Sequence, residues 1–168
     1  MAFDSSLVGT QSQPHAFTYD WKTLATYALG IGAKKDDLAY LYEGTSGGMS
    51  VYPTFAVVPA FGPSTEMLIK TGANLAMVVH GAQSLRAHRA LPPSGTLHTT
   101  ATLRGIYDMK RFASVVVDTR PTLDGEPVDG LRIISGLTIL DAKLRRTEGG
   151  LNEGNDVVGV PEMLANAN

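Results

Sequence analysis

Four histidines, at positions 15, 80, 88 and 98, are the side chains of this 168-residue chain best suited to moving a proton or holding a metal. A metal centre needs several imidazole or carboxylate ligands within reach of one another. No His-x-x-x-His pair falls on a predicted helix, so no metal site is expected. A serine triad is assembled in space rather than along the chain, and no serine on a strand-to-helix elbow is expected. Glycine-rich nucleotide loops are excluded on context: Gly30-Ile-Gly32 follows a helical pattern instead of opening one, and the Gly-Lys-Ser/Thr of a phosphate loop is absent. The densest polar stretch runs over 78–96. On a continuous strand His80, Ser84, Arg86 and His88 share one face, and Val79, Leu85 and Leu91 the other. One outcome is a solvated, basic strand face. The other is an edge that binds an anion or a thioester: His80 offers an imidazole donor, Gly81 allows close approach to the backbone, and Arg86 or Arg89 meets phosphate.

Helices and strands must position these groups. Trp21, Leu24, Ala25 and Ala28 recur at helical spacing after Thr18, which predicts a helix over 19–29 capped by Thr18. A shorter helix is predicted over 35–42. The apolar stretch 51–61 is broken by Pro53 and Pro59 and suits a buried, bent segment better than a long helix. Segments 75–91, 96–107, 112–122 and 131–141 have strand composition with turn residues between them, predicting an antiparallel sheet. Leu97, Ala101 and Leu103 alternate with His98, Thr100, Thr102 and Arg104, so that strand is half exposed. Val115-Val116-Val117 is apolar on both faces, as in a central strand. Residues 1–17 are polar and unpatterned and read as an N-terminal arm. Residues 145–168 read as a glycine-rich linker or tail.

Composition bounds the rest. Net charge is −2 with 43% apolar residues and no cysteine, which excludes disulfides and thiolate chemistry and gives no global attraction to nucleic acid. No apolar run is long enough for a membrane span, and the first residues lack the basic and apolar regions of a secretory signal.

Several blocks together resemble the N-terminal half of the MaoC-like, hydratase 2 family, the (3R)-specific 2-enoyl-CoA hydratases, including the hydratase part of peroxisomal multifunctional enzyme type 2. They are Tyr27-Ala-Leu-Gly-Ile-Gly-Ala33, Asp37-Leu-Ala-Tyr-Leu-Tyr-Glu-Gly44, Pro53-Thr-Phe-Ala-Val-Val-Pro59, and Val79-His-Gly-Ala-Gln83 followed by His88-Arg-Ala-Leu-Pro92. In order and spacing they cover about residues 18–141. The resemblance implies an α+β hot-dog fold over 18–144: a curved antiparallel sheet on helical segments, with a reduced central helix. It implies that this repeat binds acyl-CoA without a cofactor, with His80 and Gly81 at the CoA edge, Lys110 as a weaker contact, and Pro53, Phe55, Val57 and Phe61 along the acyl chain; Arg86 joins them as a weaker contact on its residue type alone. Ala82 and Ala90 replace the glutamate and proline usual in the family.

The family's acid–base pair comes from an Asp-x-Asn-Pro-x-His-like motif. Here the residues five before the histidines are Thr10, Leu75, Gln83 and Pro93, so no Asp-x-x-x-x-His exists in the sequence. The chain is therefore expected to be the substrate-binding half of an enoyl-CoA hydratase, inactive alone and completed by a catalytic repeat in the same or a partner chain, as a homo- or heterodimer. A non-catalytic acyl-CoA-binding or dimerisation module is the alternative; a thioesterase using Asp36, Asp37 or Glu43 is a third. The resemblance implies a peroxisomal setting in a eukaryote and a cytoplasmic one in a bacterium.

Overall fold

A computed structural model describes residues 5–109, 112–128 and 131–140. Strand β1 (His15–Tyr19) leads into helix α1 (Trp21–Gly30) and the short helix α2 (Leu38–Leu41). A 3-10 turn, Pro53–Ala56, then runs into helix α3 (Val57–Lys70). A further 3-10 turn, Leu75–Met77, opens β2 (Val78–Arg86), and β3 (Gly95–Asp108), β4 (Ala113–Leu123), β5 (Glu126–Pro127) and β6 (Arg132–Ile139) follow. All pairings are antiparallel. They make one six-stranded sheet in the order β1-β3-β4-β6-β2, with β5 beside β4.

The stretch expected as a buried, bent segment is the entry to the longest described helix. Pro53 stands at the first position of the 3-10 turn and Pro59 in the first turn of α3, where backbone N–H groups need no helical partner. Pro63 lies inside the helix and removes one rung of the ladder. What holds it is burial: Pro59, Ala60, Pro63, Ser64, Met67 and Leu68 recur every three or four residues and are all buried. Against this stripe the sheet presents two apolar clusters, one around Phe55, Leu97 and Ile133, the other around Met67, Leu103, Val117 and Ile139. Tertiary packing of an apolar face overrides local proline propensity here.

The N-terminal arm is also corrected. Gly9 N donates to Leu103 O at 2.8 Å, Leu103 N to Thr10 O at 3.0 Å and Ser12 N to Ala101 O at 2.8 Å. From His15 onward β1 pairs with β3. Polar side chains hid this, because edge pairing is made by backbone groups that every residue carries. Likewise Tyr19 ends β1, and Asp20 caps α1 by accepting from Thr23 N at 3.0 Å, the role expected of Thr18. The strand readings carry over: Leu97, Ala101 and Leu103 are buried, and β4 is buried on both faces through Thr119. The 145–168 tail and Lys110 lie outside the described residues.

A cleft between the central helix and the last strand

Strand β2 begins at Val78, opposite Ile139, and His80 pairs with Leu137. The next pair is Ala82 with Gly136, so Gly81 is an extra residue, a β-bulge. One added residue reverses which face each later side chain points to. The residues facing the core on β6 are Ile133, Ser135, Leu137 and Ile139, and their partners on β2 are Leu85, Gln83, His80 and Val78. The face expected from simple alternation is therefore split. His80 shares the helix side of the sheet with Gln83, whereas Ser84 and Arg86 stand on the opposite face, Arg86 across from Arg132.

Between this side of β2–β6 and helix α3 lies a cleft of about 370 Å³. Val57, Ala60, Phe61 and Leu68 of α3 form one wall, with Leu75 and Val78 at one end and Leu137 on the sheet. Its polar groups are few: His80, Gln83, Ser135, Ser64 and Thr65. Gln83 Nε2 donates to Ser135 Oγ at 3.3 Å. The Ser64 hydroxyl is buried with no hydrogen-bond partner. A second, more open cavity of about 580 Å³ lies on the other side of α3, lined by His15, Phe17, Tyr27, Val58, Pro59, Gly62 and Pro63, and again by Val57 and Phe61. Beside it His15 Nε2 meets Glu66 Oε2 at 2.8 Å and Lys70 Nζ meets Glu66 Oε1 at 2.6 Å, tying β1 to α3.

The candidate residues thus separate. His80 faces the cleft and Gly81 makes the bulge that brings Gln83 round to the same side; Val57 and Phe61 line both cavities. Phe55 does not line them: it is fully buried among the rings of Phe17, Tyr19 and Tyr27, at centroid distances of 6.3, 5.1 and 5.4 Å. Pro53 is exposed at the start of its turn and lines neither cavity, and Arg86 is on the far face. Gln83, Ser135 and Ser64 were not singled out from sequence; the signal for Gln83 was the glycine two residues before it, which permits a bulge.

Chemically, the arrangement suits an extended apolar chain with one polar head. The walls take alkyl groups, and the His80 imidazole and Gln83 amide offer donors to a carbonyl oxygen. No carboxylate lines the cleft among the described residues. Asp37 closes a turn by accepting from Lys34 N at 2.7 Å, and neither it, Asp36 nor Glu43 lines either of these two cavities. The spacing Gly-x-Ser-x-Gly does occur at 44–48. It lies in surface turns, with Gly47 and Gly48 at positive φ and Ser46 exposed, not on a strand-to-helix elbow. No group of His, Asp or Glu is placed to hold a metal among the described residues. No described helix is long and apolar enough to cross a membrane.

Comparison with known proteins agrees with this architecture. The family model described as MFE-2 hydratase 2 N-terminal domain matches residues 17–129. The 3-hydroxyacyl-thioester dehydratase Y of Mycobacterium tuberculosis is 32% identical over 154 residues, covering 89% of this chain and 50% of its own length. The peroxisomal enoyl-CoA hydratase 2 of Arabidopsis thaliana is 31% identical, covering 73% of this chain and 43% of its own length. The crystal structure of a MaoC-like dehydratase from Phytophthora capsici superposes with a TM-score of 0.65 at 26% identity, covering 88% of this chain and 54% of that one. The chain spans about half the length of the curated relatives it matches. With the sheet wrapped on one central helix and the match spanning strand β1 to the end of β5, the chain belongs to the hydratase 2 N-terminal domain family, on the hot-dog fold of the MaoC-like dehydratases.

Proposed function

We propose that this chain is the substrate-binding repeat of an enzyme that interconverts trans-2-enoyl-CoA and (3R)-3-hydroxyacyl-CoA in fatty-acid metabolism. The thioester head lies at the His80 and Gln83 end of the cleft, where imidazole and amide donors meet its carbonyl oxygen. The acyl chain runs along α3 past Val57 and Phe61. Polarising that carbonyl is this chain's share of the chemistry, because adding water across the double bond develops negative charge on the thioester oxygen. The acid and base that place hydroxyl on C3 and hydrogen on C2 come from a catalytic repeat, in the same polypeptide or a partner, since the sequence has no Asp-x-x-x-x-His.

The observation that carries this reading is the bulge at Gly81, which brings His80 and Gln83 together on the side of an apolar cleft. Such a repeat adds a second one at β2, one of the two end strands of the described sheet and the one that carries His80. The reading extends to a peroxisomal setting in a eukaryote, in line with the peroxisomal enoyl-CoA hydratase 2 of Arabidopsis thaliana, or a cytoplasmic one in a bacterium. Calorimetry with medium- and long-chain acyl-CoA tests the binding: saturable binding weakened about tenfold or more by His80→Ala is expected. Binding indifferent to His80 would sink the assignment of the head group. Hydration of enoyl-CoA by this polypeptide alone, at rates typical of enzymes, would sink the division of labour.

A further inference from the structure

The sheet face opposite the cleft carries a charge arrangement that the proposed function does not use. Asp118 of β4 is only 3% exposed. Arg132 of β6 grips both its oxygens, Nε donating to Oδ1 at 2.9 Å and Nη2 to Oδ2 at 2.8 Å. That fork neutralises the carboxylate with matched geometry. Two more guanidiniums converge on the same Oδ2 without closing a hydrogen bond: Arg120 Nη2 at 3.6 Å and Arg104 Nη1 at 3.9 Å. Their side chains are 69% and 53% exposed, and neither has another partner among the described residues. Arg86 stands opposite Arg132 in the β2–β6 register.

Among the described residues, four arginines from four neighbouring strands thus share one face with a single carboxylate, in a chain whose net charge is −2. Like charges side by side across strands cost stability, and one aspartate offsets one of them. Thr102, in register with Asp118, and Thr100, in register with Arg120, add hydroxyls to the same face. We infer that Arg104 and Arg120 form an oxyanion site for a phosphate monoester, with the Arg132–Asp118 pair as its rigid floor. Held loosely beside Asp118 Oδ2, which Arg132 already neutralises, the two solvent-exposed guanidiniums on adjacent strands keep N–H donors free to turn outward, and two such groups suit the three terminal oxygens and double charge of a phosphate better than a single carboxylate. The phosphate is either free in solution or the 3′-phosphate at the end of a CoA molecule. Both present the same group to the arginines.

Calorimetry on the full chain separates these, with inorganic phosphate, CoA and 3′-dephospho-CoA as ligands and ionic strength held constant with chloride. Wild type is expected to bind phosphate saturably. The Arg104→Ala/Arg120→Ala variant is expected to raise Kd about tenfold or more, the loss of charge-assisted hydrogen bonds, while His80→Ala leaves phosphate binding unchanged. If CoA binds wild type more tightly than dephospho-CoA and the double variant erases that difference, the phosphate is CoA's own; equal binding of the two, with free phosphate still bound, assigns the site to free phosphate. Arginine Nε–Hε signals in NMR spectra of the wild type provide a readout that needs no variant, and should move with phosphate and not with chloride. No saturable phosphate binding, unmoved arginine signals, or a double variant that melts normally and binds phosphate as well as wild type each overturns the site.

Discussion

A Cβ on Gly81 would stand 2.6 Å from the Oγ1 of Thr138 on the neighbouring strand, and 3.4 Å from the Gly136 carbonyl oxygen. The bulge therefore brings β2 and β6 too close for a side chain at its tip. Gly81→Ala is expected to destabilise the fold by about 1–3 kcal/mol through this overlap and to weaken acyl-CoA binding by disturbing His80. Urea denaturation and calorimetry measure the two effects. Adding Thr138→Ala removes the clashing oxygen and should return part of both losses.

Phe55 and Phe61 were both expected along the acyl chain, and only one is placed to be. Phe55→Ala should cost about 3–5 kcal/mol, because a fully buried ring among three others leaves a cavity. A stability loss in that range by chemical denaturation is the expected result. Phe55→Leu, which keeps the site filled, should retain acyl-CoA binding.

Phe61 is 75% exposed and borders both cavities. Phe61→Ala is expected to change stability by less than about 0.5 kcal/mol, while opening one cavity toward the other. Binding of long-chain acyl-CoA should then gain relative to medium-chain, read as the ratio of their dissociation constants. An unchanged ratio would show that the chain does not pass this residue.

Glu66 is held at about 2, below its usual 4.5, by hydrogen bonds from Lys70 and then His15. Because the folded value lies below the unfolded one, the pair's contribution is complete above about pH 4.5 and is lost as the pH falls toward 2. Melting curves of wild type and Glu66→Gln should differ near pH 6 and converge in acid. A gap that persists at pH 2 would mean the glutamine acts through packing instead.

The sheet was legible in sequence because its signals are local: β3 alternates from Leu97 to Leu103, and the Val115–Val117 run marks a central strand. Those patterns are side-chain patterns. The misses came where backbone or tertiary terms decide. The pairing of Gly9, Thr10 and Ser12 with β3 uses only main-chain groups, and α3 survives Pro59 and Pro63 because its buried stripe outweighs one missing rung. The site suffered most. His80 and Gly81 stood out by residue type, yet their neighbours were assigned to the wrong face, since a single inserted residue changes every subsequent side and leaves no mark in composition.

Strand β2 lies at the end of the sheet order, beyond β6, and its irregular step falls in the middle of its nine residues. An outer strand with an unbroken rhythm invites any extended segment to join it, whereas an interrupted one rejects partners that cannot match the interruption. The glycine that brings an amide round to the imidazole's side thereby also interrupts the edge that a stray extended segment would otherwise join, which discourages promiscuous growth of the sheet into aggregates.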